Sequence, residues 1–88
     1  MLRHSNYLIK QSAHQLGGIH KIYKYPNGYG ASVVCFEYSY GGDKGLWEVM
    51  PIQYTNDEDY ILLHDEVRGH LNDAGVDSLL DEIAERGQ

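Results

Sequence analysis

The sequence predicts an α+β domain: a three- to four-stranded antiparallel β-meander packed by a C-terminal α-helix. Three observations carry this reading. An Asn27-Gly28 pair and a Gly41-Gly42-Asp43-Lys44-Gly45 cluster punctuate a stretch rich in Tyr and β-branched residues. Beyond Asn72, apolar residues recur at the spacing of one helical stripe. The 88 residues leave room for one core, so 1–88 reads as a single α+β domain.

Residues 5–16 place Leu8, Ile9, Ala13 and Leu16 on a loose helical stripe, with Ser5 as its cap and Gly17-Gly18 as its end. The run Asn6-Tyr7-Leu8-Ile9 also fits the start of a strand, but the segment is read as a short N-terminal helix. Asn27-Gly28 suits a two-residue type I′ turn, whose central positions both need positive φ. That turn sets Tyr25 opposite Gly30, Tyr23 opposite Ser32, Lys21 opposite Val34 and Ile19 opposite Phe36. The Tyr25 ring is then expected to lie across the Gly30 backbone. The second turn pairs Tyr40 with Leu46, and therefore Phe36 with Met50 and Val34 with Ile52.

Together the two turns collect Ile19, Tyr23, Tyr25, Val34, Phe36, Tyr38, Tyr40, Leu46, Met50 and Ile52 on the expected core face. The opposite face carries Ile22, Val33, Cys35, Trp47 and Val49 beside His20, Lys24, Glu37 and Ser39. It is too apolar for the wet side of a one-layer sheet, so the N-terminal segment or a second molecule should cover it. Asn56 to Asp59 forms a charged turn, and Tyr60-Ile61-Leu62-Leu63 a short fourth strand. Asn72 or Asp73 caps a helix with a stripe of Val76, Leu79, Leu80, Ile83 and Ala84. Asp77, Asp81, Glu82 and Glu85 are expected on its other side, with Arg86 and Gly87 at its end.

Charge is uneven. Residues 1–40 hold four basic groups against one acid, and residues 41–88 three against twelve, for a net charge of −6. An acidic half repels nucleic acid and attracts a basic protein surface, so no direct nucleic-acid binding is expected. A lone cysteine, Cys35, excludes an internal disulfide. No apolar run approaches a membrane span and Met1 to Asn6 lacks a signal-peptide core, which makes the cytoplasm the expected compartment.

The five histidines (His4, His14, His20, His64 and His70) match no metal-ligand spacing. His20 and Cys35, opposite each other in the expected register, make two ligands at best, so no metal or cofactor is expected. As a nucleophile and base the same pair lacks an orienting third group. Gly28 and Gly30 lead into a strand, whereas a dinucleotide loop leads into a helix. No catalytic residue emerges.

The segment Asn27-Gly28-Tyr29-Gly30-Ala31-Ser32-Val33-Val34, followed by Tyr38-Ser39-Tyr40-Gly41-Gly42 and Gly45-Leu46-Trp47-Glu48-Val49, resembles a group of small, uncharacterised bacteriophage- and prophage-encoded proteins. The likeness covers residues 23–50 and the acidic last helix. It implies an accessory protein that binds and diverts a host protein in the host-cell cytoplasm, and carries no site residue with it.

From the residues themselves, a non-enzymatic protein-binding module is the leading expectation. Trp47, Val49, Val33 and Ile22 on the second face are its expected contacts, with the acids Asp57, Glu58 and Asp59. Trp47 is the expected anchor, with Tyr7 or Tyr54 near it, because Trp and Tyr dominate interface energies. Two alternatives stand beside it. One is a DNA mimic using Asp57, Glu58, Asp59, Asp65, Glu66, Asp77, Asp81 and Glu85 as phosphate substitutes; the other is a homodimer that covers Trp47.

Overall fold

The chain is α+β, built from one antiparallel sheet and one C-terminal helix; the computed structural model describes residues 2–13, 17–35 and 45–87. A 3-10 turn, Leu2–Tyr7, leads into β1 (Leu8–Ala13), followed by β2 (Ile19–Lys24), β3 (Tyr29–Cys35) and β4 (Trp47–Tyr54). β5 (Tyr60–Leu62), a 3-10 turn (His64–Glu66), β6 (Arg68–Leu71) and α1 (Asp73–Ala84) complete the chain. Among the described residues six strands form the sheet, in the order β1-β2-β3-β4-β5, with β6 sharing the far edge of β4. β6 pairs with the start of β4 (Trp47 with Leu71) and β5 with its end (Tyr54 with Tyr60). The expected three or four strands are therefore too few. No helix among the described residues is long and apolar enough to cross a membrane.

The turn at Asn27 differs from the expected one in a way that rearranges the sheet. The Tyr25 N–H donates to the Tyr29 carbonyl at 2.8 Å, and the Gly28 N–H donates to the Tyr25 carbonyl at 3.2 Å. Pro26, Asn27 and Gly28 thus make a three-residue loop. Its cause lies in Pro26, whose fixed φ near −65° suits the first position of a type I turn. Positive φ is then needed only at Gly28, where it is 87°. The extra loop residue slips β2 by one position: Tyr23 faces Ala31, Ile22 faces Ser32 and His20 faces Val34.

A one-residue slip turns every side chain of a strand to the other face. Tyr23 and Tyr25 consequently join Ala31, Val33 and Val49 beneath the Val76, Leu79, Leu80 and Ile83 stripe of α1. This is the core, and it contains the residues expected on the uncovered face. Val34 lies opposite Glu48 and not Ile52, a shift of four that leaves the facing of β3 and β4 intact. The expected pairings of Phe36, Tyr38 and Tyr40 lie outside the described residues.

The N-terminal segment corrects the expected helix, since Leu8–Ala13 form a strand. β1 pairs antiparallel with β2 through a bulge between Leu8 and Lys10, which leaves Ile9 57% exposed. β6 was not expected at all. His70 there has φ 58°, and the ladder shifts between Trp47 and Val49, so the strand is irregular and has no alternating pattern to read.

The helix follows its sequence signals. The Asn72 side chain accepts the Gly75 N–H at 2.8 Å, closing the first turn. At the other end, Asn27 Nδ2 donates to the carbonyls of Ile83, Ala84 and Arg86 at 2.8–3.1 Å. The hairpin loop therefore caps the helix that covers its own sheet. Asp81, expected on the solvent side, instead accepts from His4 Nε2 at 2.8 Å.

Candidate protein-binding surface

Helix α1 covers one face of the sheet, and the register assigns residues to the other. That face carries His20, Ile22 and Lys24 from β2, Ser32 and Val34 from β3, Met50, Ile52 and Tyr54 from β4, and Tyr60 and Leu62 from β5. No described helix lies over it. A groove of about 350 Å³ opens on it, walled by Ile9, Lys10, His20 and Ile22 on one side and by Tyr54, Asp57, Glu58 and Tyr60 on the other.

Tyr54 organises this groove. A Cβ at Gly30 would sit 2.9 Å from its ring and 2.1 Å from the Tyr23 carbonyl oxygen, so only glycine lets the chain pass here. The sequence placed Tyr25 across Gly30; the slipped register gives that role to Tyr54. Lys24 Nζ lies 5.0 Å from the Tyr54 ring centroid, and the Tyr60 ring meets it edge-on at 5.4 Å. Burial, then the neighbouring Tyr60, pushes the Tyr54 phenol up from its ordinary value.

The acidic turn beside it is built tightly. Asn56 Oδ1 accepts the Glu58 and Asp59 N–H groups at 2.9 and 2.8 Å, while Asn56 Nδ2 donates to Asp59 Oδ2 at 2.8 Å. Lys24 Nζ donates to the Asp57 carbonyl at 2.7 Å and lies 3.8 Å from its carboxylate. Glu58 and Asp59 meet no cation among the described residues, and both are exposed.

β5 is the outer strand next to that turn. Its three residues are all exposed: Tyr60 40%, Ile61 50% and Leu62 43%. Contiguous apolar exposure on an edge strand is what folded chains ordinarily avoid. Its sequence was legible as a strand, but its edge position depends on how β4 shares its far side.

The expected contact residues are not brought together. Asp57, Glu58 and Asp59 share the turn, and Ile22 lines the groove beside it although only 5% exposed. Val33 and Val49 are 0% exposed under α1, which corrects their placement on an open face. Trp47 also lies on the helix side, half-buried, its indole N–H donating to Asp73 at 2.9 Å and Lys21 Nζ 5.4 Å from its ring. It ties β4 to the start of the helix. Neither Tyr7, which packs on Tyr25, nor Tyr54, on the helix-free face, is placed as its neighbouring anchor.

Histidine placement also departs from expectation. His20 faces Val34 and Cys35 faces Ile19, so the two side chains point to opposite faces and form no ligand or nucleophile pair. His20 Nε2 instead bonds Ser32 Oγ at 2.8 Å. Ser32 sits mid-strand, where the neighbouring N–H groups are spent in the ladders to β2 and β4 and do not converge as an oxyanion hole. Among the described residues no three His, Cys, Asp or Glu side chains gather as for a metal, and His14 lies outside them.

His4 was missed as a structural residue. It is 5% exposed and links the Tyr25 hydroxyl (2.9 Å to Nδ1) to Asp81 (2.8 Å to Nε2). Because the carboxylate only accepts, Nε2 donates to it, and in the neutral ring Nδ1 accepts the Tyr25 proton. Burial first, then Tyr23, Asp81, Tyr7 and Asp77, pushes the Tyr25 phenol well up, so it remains a donor. This relay pins the N-terminal turn to the sheet and the helix, away from the groove.

The chain matches no family model, no curated protein and no solved structure.

Proposed function

We propose that this chain is a non-enzymatic protein-binding module that captures and modulates a host protein in the cytoplasm, as its resemblance to phage and prophage accessory proteins implies. The observation that carries the reading is the run Tyr60-Ile61-Leu62, exposed along an edge strand beside a groove with both apolar and charged walls. Burying the exposed part of these three half-exposed side chains supplies about 2–4 kcal/mol before the costs of association, enough to matter in a small interface. The binding surface is thereby the helix-free face with the β5 edge, and not the Trp47 side.

The DNA-mimic alternative draws less support. Of the eight acids it needs, Asp81 is held by His4, Glu66 by Arg86 and Asp57 by Lys24, so three phosphate substitutes are already paired within the chain. Capture from bacterial lysate with the wild-type chain and with Ile61→Glu tests the proposal. The wild type should retain one stoichiometric host protein that the variant, folded by circular dichroism, loses. Equal retention by both would remove β5 from the binding surface.

A further inference from the structure

Building on that protein-binding reading, we propose that the β5 edge takes its partner by strand addition, and that the partner is an extended segment with a short apolar stretch between basic residues. The backbone comes first. The Leu63 N–H donates to the Pro51 carbonyl at 2.9 Å, and the Thr55 N–H to the Asp59 carbonyl at 2.9 Å. In an antiparallel ladder hydrogen-bonded pairs alternate, so Ile61 with Gln53 is the bonded pair between them. Tyr60 and Leu62 therefore direct their N–H and C=O groups outward. β5 ends the strand path, and among the described residues nothing pairs with that side.

The side chains supply the second part. Tyr60 and Leu62 lean to the helix-free face and Ile61 to the other, so an added strand would find apolar neighbours on both faces. Each end of β5 opens on a hollow. One is the groove of about 350 Å³, with Tyr60, Asp57 and Glu58 in its wall beside β5 and Lys10 and His20 in the wall across from it. The other, about 420 Å³, is lined by Leu62, Leu63, His64, Asp65 and Glu66. An apolar wall with a carboxylate at its rim suits Lys or Arg, whose stems pack while the charged heads stay wet.

Charge then selects the occupant. Residues 55–66 contain five acids and no Lys or Arg. Asp57 and Glu66 have internal cations, whereas Glu58, Asp59 and Asp65 meet none among the described residues. A second copy paired antiparallel about Ile61 would bring the 57–59 acids of one chain toward Asp65 and Glu66 of the other, at both ends. Like charges so placed oppose self-pairing, and the same charges favour a basic strand. The acidic bracket thus acts as a filter on an otherwise permissive edge.

The test is a titration of the isotope-labelled chain with the capped peptide Lys-Lys-Val-Thr-Val-Lys-Lys, followed by amide resonances. Two comparison peptides replace every Lys with Glu, or carry N-methyl groups on alternate residues. Strand addition predicts the largest shifts at Tyr60 and Leu62. It also predicts at least tenfold weaker binding for the Glu peptide, loss of binding for the N-methylated one, and several-fold weakening from 50 to 500 mM salt. Leu62→Pro removes one outward N–H and none of the inner ladder, and should weaken the Lys peptide about fivefold. Equal binding of the three peptides, or no shift with any, would overturn the proposal. Shifts of Tyr60 and Leu62 with protein concentration alone would overturn it too, by naming a second copy as occupant. Shifts confined to Ile22 and Tyr54 would reject strand addition while leaving the protein-binding reading in place.

Discussion

Replacing Asn27 with Ala should destabilise the chain by about 2–3 kcal/mol, far more than a surface loop position ordinarily costs. The magnitude follows from its partners. Asn27 Nδ2 serves the carbonyls of Ile83, Ala84 and Arg86, and Oδ1 accepts the Tyr29 N–H at 3.0 Å. An amide nitrogen has two protons, so at most two carbonyls are well satisfied at once, at about 1 kcal/mol each. Loss of the Oδ1 contact adds a similar amount. Asn27→Asp separates the two roles, since it keeps the acceptor but loses the donor and sets a negative charge at the helix C-terminus. Urea unfolding followed by circular dichroism gives both values. Asn27→Asp should still lose about 1–2 kcal/mol at neutral pH. If it matched the wild type, the loop would not cap the helix.

Other outcomes follow from the same geometry. Gly30→Ala should cost about 3 kcal/mol or more in urea unfolding, because its Cβ would lie 2.1 Å from a backbone oxygen that cannot move alone. His4→Phe leaves the buried Tyr25 hydroxyl without its acceptor and should cost about 2–3 kcal/mol, with part restored in the double variant His4→Phe/Tyr25→Phe. Alkaline pH should unfold the chain through Tyr23, Tyr25 and Tyr54, whose phenols burial holds above their ordinary value near 10. Above pH 10 the unfolded chain has released those protons and the native chain has not, so stability falls as pH rises. The slope should approach 1.4 kcal/mol per pH unit for each such Tyr, with none below pH 9, and Tyr25→Phe should remove one share of it.

Several elements were legible in the sequence because one physical cause dominated each. The α1 stripe of Val76, Leu79, Leu80 and Ile83 and the Asn72 cap needed only local spacing. The Gly28 hairpin was visible as a turn, but its type depended on whether Asn27 or Pro26 set the geometry. Reading it as a two-residue loop moved β2 by one position and sent Tyr23 and Tyr25 to the wrong partners. The four-residue error between β3 and β4 was harmless to facing, being even. Val33 and Val49 thus looked like an uncovered surface although they form the floor under the helix. β6 was hidden by its bulge at His70, and β1 by its near-complete exposure, which leaves no alternation to detect. The acids around 57–66 were plain in the sequence, but an edge strand between them is a property of topology, not of composition.

The most direct test of the proposed binding surface is amide hydrogen exchange on the chain alone and with the capped peptide Lys-Lys-Val-Thr-Val-Lys-Lys bound. The β5 account predicts that the Tyr60 and Leu62 amides, open in the free chain, slow at least tenfold in the complex, with the α1 amides unchanged. Protection that fell on α1 and the Trp47 side, with β5 exchanging as before, would contradict it.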